Sequence, residues 1–253
     1  SKLITSDHGG AYGGLHCFRS IMHEDIADVA VRWFKPIKDN NVQLPVLQLL
    51  NTKRKKNKNK RKYLLAITEG ATKYLKSVFL YSAYVKMIYQ TEYLSSLYEN
   101  LDSELKDNFL FKSHPTDEWN VEKRLENIFQ KKRIIPSKKK YRNYFNKSKI
   151  IVCTYFSTSF CEAMISGPTI LLFKPDHNIY NEEFKSLHEN LKKVKILFED
   201  PILASKHLNK IWKNVDNWWE SGDVKIAREN FFKEVALVEP NPFEKWKKFL
   251  HNL

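Results

Sequence analysis

Glycine is scarce in this sequence, with seven residues in 253, and proline is nearly as rare at nine. Collagen-like and Pro/Gly-rich disordered classes are thereby excluded. Cysteine is rarer still. Cys17, Cys153 and Cys161 are an odd number without a C-x-x-C spacing, which argues against both a disulfide framework and a zinc site. They are expected as structural thiols in a reducing compartment. No stretch of about 20 apolar residues is present, so no bilayer-spanning helix is expected. No charged leader with an apolar stretch and a small-residue cleavage site stands at the start. A cytoplasmic protein, working at the inner face of the membrane, is the resulting expectation. D-x-D, H-x-x-x-H, H-x-x-E-H and G-x-S-x-G patterns are all missing, which disfavours metal-dependent and serine-hydrolase chemistry.

Aromatic residues and positive charge are plentiful. Sixteen Phe, twelve Tyr and six Trp supply the area for a folded core, and 42% of residues are hydrophobic. The formal charge is +14, but residues 53–62, KRKKNKNKRK, hold eight positive charges and no negative one; setting them aside lowers the excess to +6. A nucleic-acid surface would spread its cations over a face and interleave aromatics, and this run has none. The run therefore reads as a solvated loop or as a contact for anionic lipid headgroups, and no nucleic-acid partner is expected.

From about residue 62 onward strand patterns alternate with helical ones. Expected strands are 62–68, 108–112, 149–154, 169–173 and 194–198. Helical periodicity is expected within 72–103, 119–130, 141–147, 159–166, 179–193, 201–235 and 242–252, the last with Phe243, Trp246, Phe249 and Leu250 turned inward. Such alternation implies a doubly wound parallel sheet, an α/β Rossmann-like fold. Its ligands bind in the loops at the carboxyl ends of the strands. Ahead of it, 2–5 and 28–34 read as strands, and Pro45 argues against a central strand at 42–50. The expected organisation is 1–52 as a remnant of a preceding domain or linker, 53–62 as a basic loop, 63–240 as the nucleotide-binding domain and 241–253 as a C-terminal helix.

Three polar clusters lie at strand ends. Four of the seven glycines fall within residues 6–14, around His8, Gly9 and Gly10. An imidazole there can act as a general base near neutral pH, and glycines let a ligand approach backbone amides. The bland reading is a glycine-rich turn with an incidental histidine. Lys112 and His114, after NFLF, could neutralise a diphosphate or could be a polar loop stopped by Pro115. Thr154, Ser157 and Thr158 precede a helix whose N-terminus suits phosphate, with Glu162 placed to accept ribose hydroxyls. The bland reading here is an N-cap in which Glu162 completes a capping box with Ser159.

Taken in order, the segments DHGGAYG (7–13), EDIADVAVRWF (24–34), KSHPTDEW (112–119), TSFCEAMISGPTILLF (158–173) and DNWWESGDVKIARENFF (216–232) resemble a family of bacterial GT-B-type transferases for surface polysaccharide or lipopolysaccharide. More loosely they resemble the CDP-glycerol glycerophosphotransferases and Kdo transferases. Members often carry Trp-Gly-Trp where this sequence has Arg32-Trp33-Phe34. The resemblance implies the C-terminal half of a GT-B fold, whose N-terminal domain would supply most acceptor contacts. It implies transfer of a sugar or sugar-like group from a nucleotide-activated donor, a cytidine nucleotide from the looser relatives, to a glycan or lipid-linked acceptor, without metal or other cofactor. His8 would be the base or lie beside the acceptor; Gly9, Gly10, Lys112, His114, Thr154, Ser157 and Thr158 would face nucleotide phosphates; Glu162 would hold the ribose. Two other classes compete: a non-catalytic nucleotide- or carbohydrate-binding module, and an RNA binder acting through 53–62.

Overall fold

The computed structural model describes residues 1–10, 23–50, 52, 61–70, 73, 83–116, 118–173 and 182–253. Two parallel sheets organise the chain. The smaller holds β1 (Ile4–Ser6), β2 (Val29–Arg32) and β3 (Asn41–Gln43) in that order. The larger has six strands: β4 (Tyr63–Ile67), β5 (Phe109–Lys112), β6 (Ile134–Ile135), β7 (Ser148–Cys153), β8 (Thr169–Leu172) and β9 (Leu197–Phe198). Their spatial order is β6-β5-β4-β7-β8-β9, and every pairing is parallel. Strand order therefore reverses between β4 and β7, the place where a doubly wound sheet opens a crevice for a ligand.

Period-two alternation sorts β4 between two cores. Leu64 and Ala66 join Phe109, Phe111 and Leu208 on one face, while Leu65 and Ile67 join Ile151, Phe160 and Phe231 on the other. Both faces are covered by helices, which is why the strand reads as an unbroken apolar run. On the first face lie α1 (Ala83–Glu99), α2 (Ser103–Asp107), α3 (Val121–Leu125) and α7 (Pro201–Ile211). The second carries α4 (Arg142–Phe145), α5 (Thr158–Ser166), α6 (Glu182–Lys193) and α9 (Gly222–Glu234). The short α8 (Val215–Trp219) sends Val215 to the first core and Trp219 to the second. Asp200 caps α7 by accepting from the Ile202 and Leu203 amides, with Pro201 in the first turn.

The small sheet shares the second core through Trp33, Phe34, Val46 and Leu49. Backbone bonds reinforce the junction: the Lys35 amide donates to the Glu234 carbonyl at 2.8 Å, and the Ala236 amide to the Trp33 carbonyl at 2.8 Å. The terminal helix α10 (Pro242–His251) adds a bond from Trp246 Nε1 to the Pro45 carbonyl at 2.8 Å.

Several elements depart from the sequence reading. α10 does not bury all its large apolar residues: Phe243 is 66% and Leu250 56% exposed, because Pro242, Trp246 and Phe249 occupy the inward side. Helix 119–130 shortens to α3, since Asn120 takes a left-handed φ of 53° just before it. β9 begins only at Leu197, because Lys195 turns at φ 63° and the Ile196 amide is tied back to the Leu191 carbonyl. β6, with two residues, is too short to leave a periodic signal in the sequence. Residues 53–60 of the basic run lie outside the described residues, as do Cys17 and the glycines at 13 and 14. Arg61 is half-buried within 4.0 Å of Asp216, and the Lys62 ammonium sits 5.0 Å from the Tyr63 ring centre.

Candidate functional site

Residues 7–10 and 157–158, about 150 apart in sequence, meet at the carboxyl end of the large sheet. Thr158 Oγ1 accepts from the Gly10 amide at 3.3 Å, and a Cβ on Gly9 would stand 2.9 Å from the same oxygen. Gly10 is buried; a Cβ there would lie 3.1 Å from the Trp33 ring and 3.2 Å from Cys161 Sγ. Both glycines are therefore required by close approach of neighbours. His8 is exposed beside them.

Asp7 holds the loop from below. Its carboxylate accepts from the Trp33 amide at 2.8 Å, and its own amide donates to the Val31 carbonyl at 2.9 Å. Burial raises its carboxyl to about 6, against the stabilising Trp33 hydrogen bond and the Arg32 charge. Arg32 is buried and paired with Glu24 at 3.1 Å. The segment Arg32-Trp33-Phe34 thus supports the loop: a charge near Asp7, an aromatic wall against Gly10, and a core anchor.

Helix α5 starts at the end of β7. Ser157 is the N-cap, its hydroxyl accepting from the Ser159 amide at 3.3 Å. The capping box with Glu162 does not form. Glu162 is 1% exposed, its carboxylate accepting from the Tyr141 hydroxyl at 2.5 Å and pairing with Arg142. Burial, with the Glu162 hydrogen bond, pushes the Tyr141 phenol up to about 12. The Arg142 guanidinium is 57% exposed while its partner is buried, so the pair straddles the surface. Glu162 therefore faces α4, with both oxygens engaged.

Next to β7, the end of β4 carries Thr68, Glu69 and Gly70. Thr154 is buried, its hydroxyl 3.2 Å from Gln90 Oε1 and 3.4 Å from the Ile67 carbonyl. Gln90 Oε1 also accepts from the Glu69 amide at 3.2 Å, which settles which end of the carboxamide faces the sheet. Its Nε2 is then left buried without a partner among the described residues, and so is Thr68 Oγ1. Buried polar groups seldom stay unsatisfied, and such orphans mark functional places. Sequence reasoning missed both. A glutamine inside an apolar helical run was the available signal.

One strand further, His114 stands against Gly70, where a Cβ would come within 2.4 Å of its Nδ1. The Thr116 amide donates to Nδ1 at 3.2 Å, which leaves the neutral ring's proton on Nε2. The isolated Gly70 directly after a strand was a readable sign of this close approach. Lys112 is different. It is 1% exposed, and its ammonium donates to the Ser113 carbonyl at 3.0 Å and the Ser137 carbonyl at 2.7 Å. Burial lowers its pKa, with Glu122 opposing. The structure gives Lys112 a loop-tethering position in place of an open phosphate contact. Neighbouring parallel strands lie about 5 Å apart, so the ends of β5, β4 and β7 form one rim about 10 Å across. Among the described residues, no three His, Cys, Asp or Glu side chains are grouped to hold a metal ion. No helix among them is long and apolar enough to cross a membrane.

Solved structures share the fold. The wall teichoic acid polymerase TagF superposes with a TM-score of 0.50 at 10% identity, over 98% of this chain and 67% of that one. MurG of Acinetobacter baumannii gives 0.52 at 11%, over 99% and 66%. TarM gives 0.52 at 13%, over 97% and 49%. The chain thus spans about half to two thirds of the length of these structures, and the likeness is one of fold, the GT-B fold. No curated protein matches the sequence. The profile of the LIC12162 family of transferases matches residues 1–250, and the chain belongs to that family.

Proposed function

We propose that the chain carries the nucleotide-binding half of a transferase that moves a sugar or sugar-like group from a nucleotide-activated donor, a cytidine nucleotide first among them, to a surface-glycan or lipid-linked acceptor. The contact of Gly9 and Gly10 with Thr158 carries this reading. It joins an imidazole-bearing loop to a helix N-terminus at the strand-order switch, the place where an anionic leaving group is best received. The transferase family and the shared fold support it.

In this reading the exposed His8 takes the proton of an acceptor hydroxyl. The acceptor oxygen bonds to the donor's reacting carbon as the bond from that carbon to the phosphate oxygen breaks. The nucleotide leaves with the electron pair, and its charge is met by protein donors without a metal. These donors are the His114 Nε2–H, the Ser157 and Thr158 hydroxyls and the first amides of α5. Thr68 Oγ1 and Gln90 Nε2, both buried at the same rim, complete the set once the crevice is filled. Lys112, Thr154 and Glu162 act as positioning residues, because their polar atoms are already engaged inside the fold. The run 53–62 would hold the enzyme against anionic lipid.

The test is nucleotide release from CDP- and UDP-activated donors with and without acceptor. His8→Ala should lower turnover about 10²- to 10⁴-fold while nucleotide binding survives. An unchanged rate removes His8 from the mechanism. Binding of CMP, CDP, UDP or GDP without any acceptor-dependent release would identify a non-catalytic nucleotide module instead. A nucleotide at a hundred times its dissociation constant adds about 2.7 kcal/mol to stability, which thermal unfolding reads directly.

A further inference from the structure

At the opposite, amino-terminal end of the large sheet lies a cleft of about 560 Å³. It is framed by the end of α6 with Lys193 and Lys195, the last turns of α7 with His207 and Lys210, and the start of α9. Lys195 precedes β9, so β9 and its neighbours separate this cleft from the rim at Thr158.

Three observations converge on it. Lys193, Lys195 and Lys210 form no ion pair with a carboxylate among the described residues, and Asp223 is the one acidic lining residue, so the cleft is electropositive. The first turn of the thirteen-residue α9 has no side-chain cap, because the Ser221 hydroxyl donates to the Trp218 carbonyl at 2.8 Å. At Gly222, the first residue of α9, an added Cβ would meet nothing within 4 Å. Finally, His207 lines the cleft, is only 8% exposed, and has no hydrogen-bond partner for Nε2 among the described residues. Its ring is wedged against Trp218 and Phe198, with centres 5.0 and 5.4 Å away. Burial, with the charges of Lys195 and Lys210, lowers its pKa to about 4, so it is neutral at pH 7 and able to donate or accept. A buried nitrogen without a partner is costly, and an acceptor brought to it beside unpaired ammonium groups lowers that cost.

We propose that the Lys193–Lys195–Lys210–His207 cleft is a second oxyanion site, separate from the donor crevice, that takes a phosphate group. That group comes either from free phosphate or from a phosphorylated glycan segment held away from the reacting end. A bound phosphate would receive α9 amides and two or more ammonium groups, and Asp223 would limit the site to compact ligands that keep clear of its carboxylate.

The experiment follows the imidazole C–H resonances of the full chain, with the His207 signal assigned by His207→Phe. Inorganic phosphate, glycerol phosphate and a glycerol phosphodiester are titrated at constant ionic strength, with chloride as the control. Phosphate is expected to shift the His207 signal and to raise its pKa toward the ordinary histidine value. Lys195→Ala/Lys210→Ala should weaken binding at least about tenfold, with nucleotide affinity at the other rim unchanged. Preference for the monoester or diester over inorganic phosphate would assign the source to glycan; the reverse would assign it to free phosphate. A His207 signal unmoved by all three, or binding of equal strength in the double variant, overturns the proposal. Because both lysines are at the surface, that variant keeps the fold, and failure here leaves the donor site's own test untouched.

Discussion

Gly10 shows how much one hydrogen atom decides at the rim. Alanine there would drive a methyl into the Trp33 ring and Cys161, while the flanking loop is already fixed by Asp7. Overpacking of this kind costs about 1–3 kcal/mol. Gly10→Ala should therefore lower the melting temperature by several degrees, and calorimetry beside Gly222→Ala, which meets open space, checks it. A neutral Gly10→Ala would mean the loop is not packed as described.

Asp7 gives a prediction in pH. Its carboxyl is raised from 3.8 to about 6 chiefly by burial. The folded state therefore holds its proton more tightly than the unfolded state. The stability this contributes is fully present below about pH 4 and is lost as pH rises through 6, by about 2–3 kcal/mol at most for a partly buried group. Asp7→Asn keeps an acceptor for the Trp33 amide and removes the titration. Denaturant midpoints from pH 4 to 7 should decline less steeply in the variant than in the parent. Parallel slopes would show that Asp7 titrates normally.

At the level of elements, the union of α4 with α5 depends on Glu162. Removing the charge by Glu162→Gln leaves Arg142 able to rehydrate, since it is mostly exposed, so the expected loss is about 1–3 kcal/mol and below that of a fully buried pair. Urea unfolding reads the loss; nucleotide affinity reads whether α5 has shifted at the rim. Helices α10 and α9 offer a contrast between an exposed and a buried ring. Phe243→Ala should change stability by less than about 0.5 kcal/mol, because the ring is exposed. Phe231→Ala, in the core behind α5, should cost about 3–5 kcal/mol. Periodicity could not separate these cases. Phe243, Trp246, Phe249 and Leu250 span one wide stripe in sequence, and only the Trp246 and Phe249 part of it turns inward, with Trp246 bonded to the Pro45 carbonyl.

For the whole molecule, two parallel sheets with a common core bring the His8 loop to α5. Trp33 and Phe34 anchor the small sheet in the larger body, and the Glu234 and Trp33 carbonyls receive the bonds that hold the junction. Loosening that junction should therefore weaken the nucleotide site from a distance. Trp33→Ala removes the wall of Gly10 and core area together, so reduced nucleotide affinity is expected alongside lowered stability. Affinity retained at temperatures well below unfolding would argue that the large sheet binds alone.

The sequence by itself determined the parallel alternation from residue 62, the helix stop at Gly167-Pro168, and the placing of His8, His114 and Thr158 at strand ends. Those features follow from local periodicity and backbone chemistry, which need no knowledge of neighbours. Only the tertiary structure decided that Gly10 meets Thr158, that Lys112 and Glu162 turn inward to carbonyls and to α4, and that Thr68 and Gln90 share the rim. The same holds for the basic cleft at the far end of the sheet. Each depends on contacts between residues distant in sequence, where burial and partner geometry outweigh what any side chain would do alone.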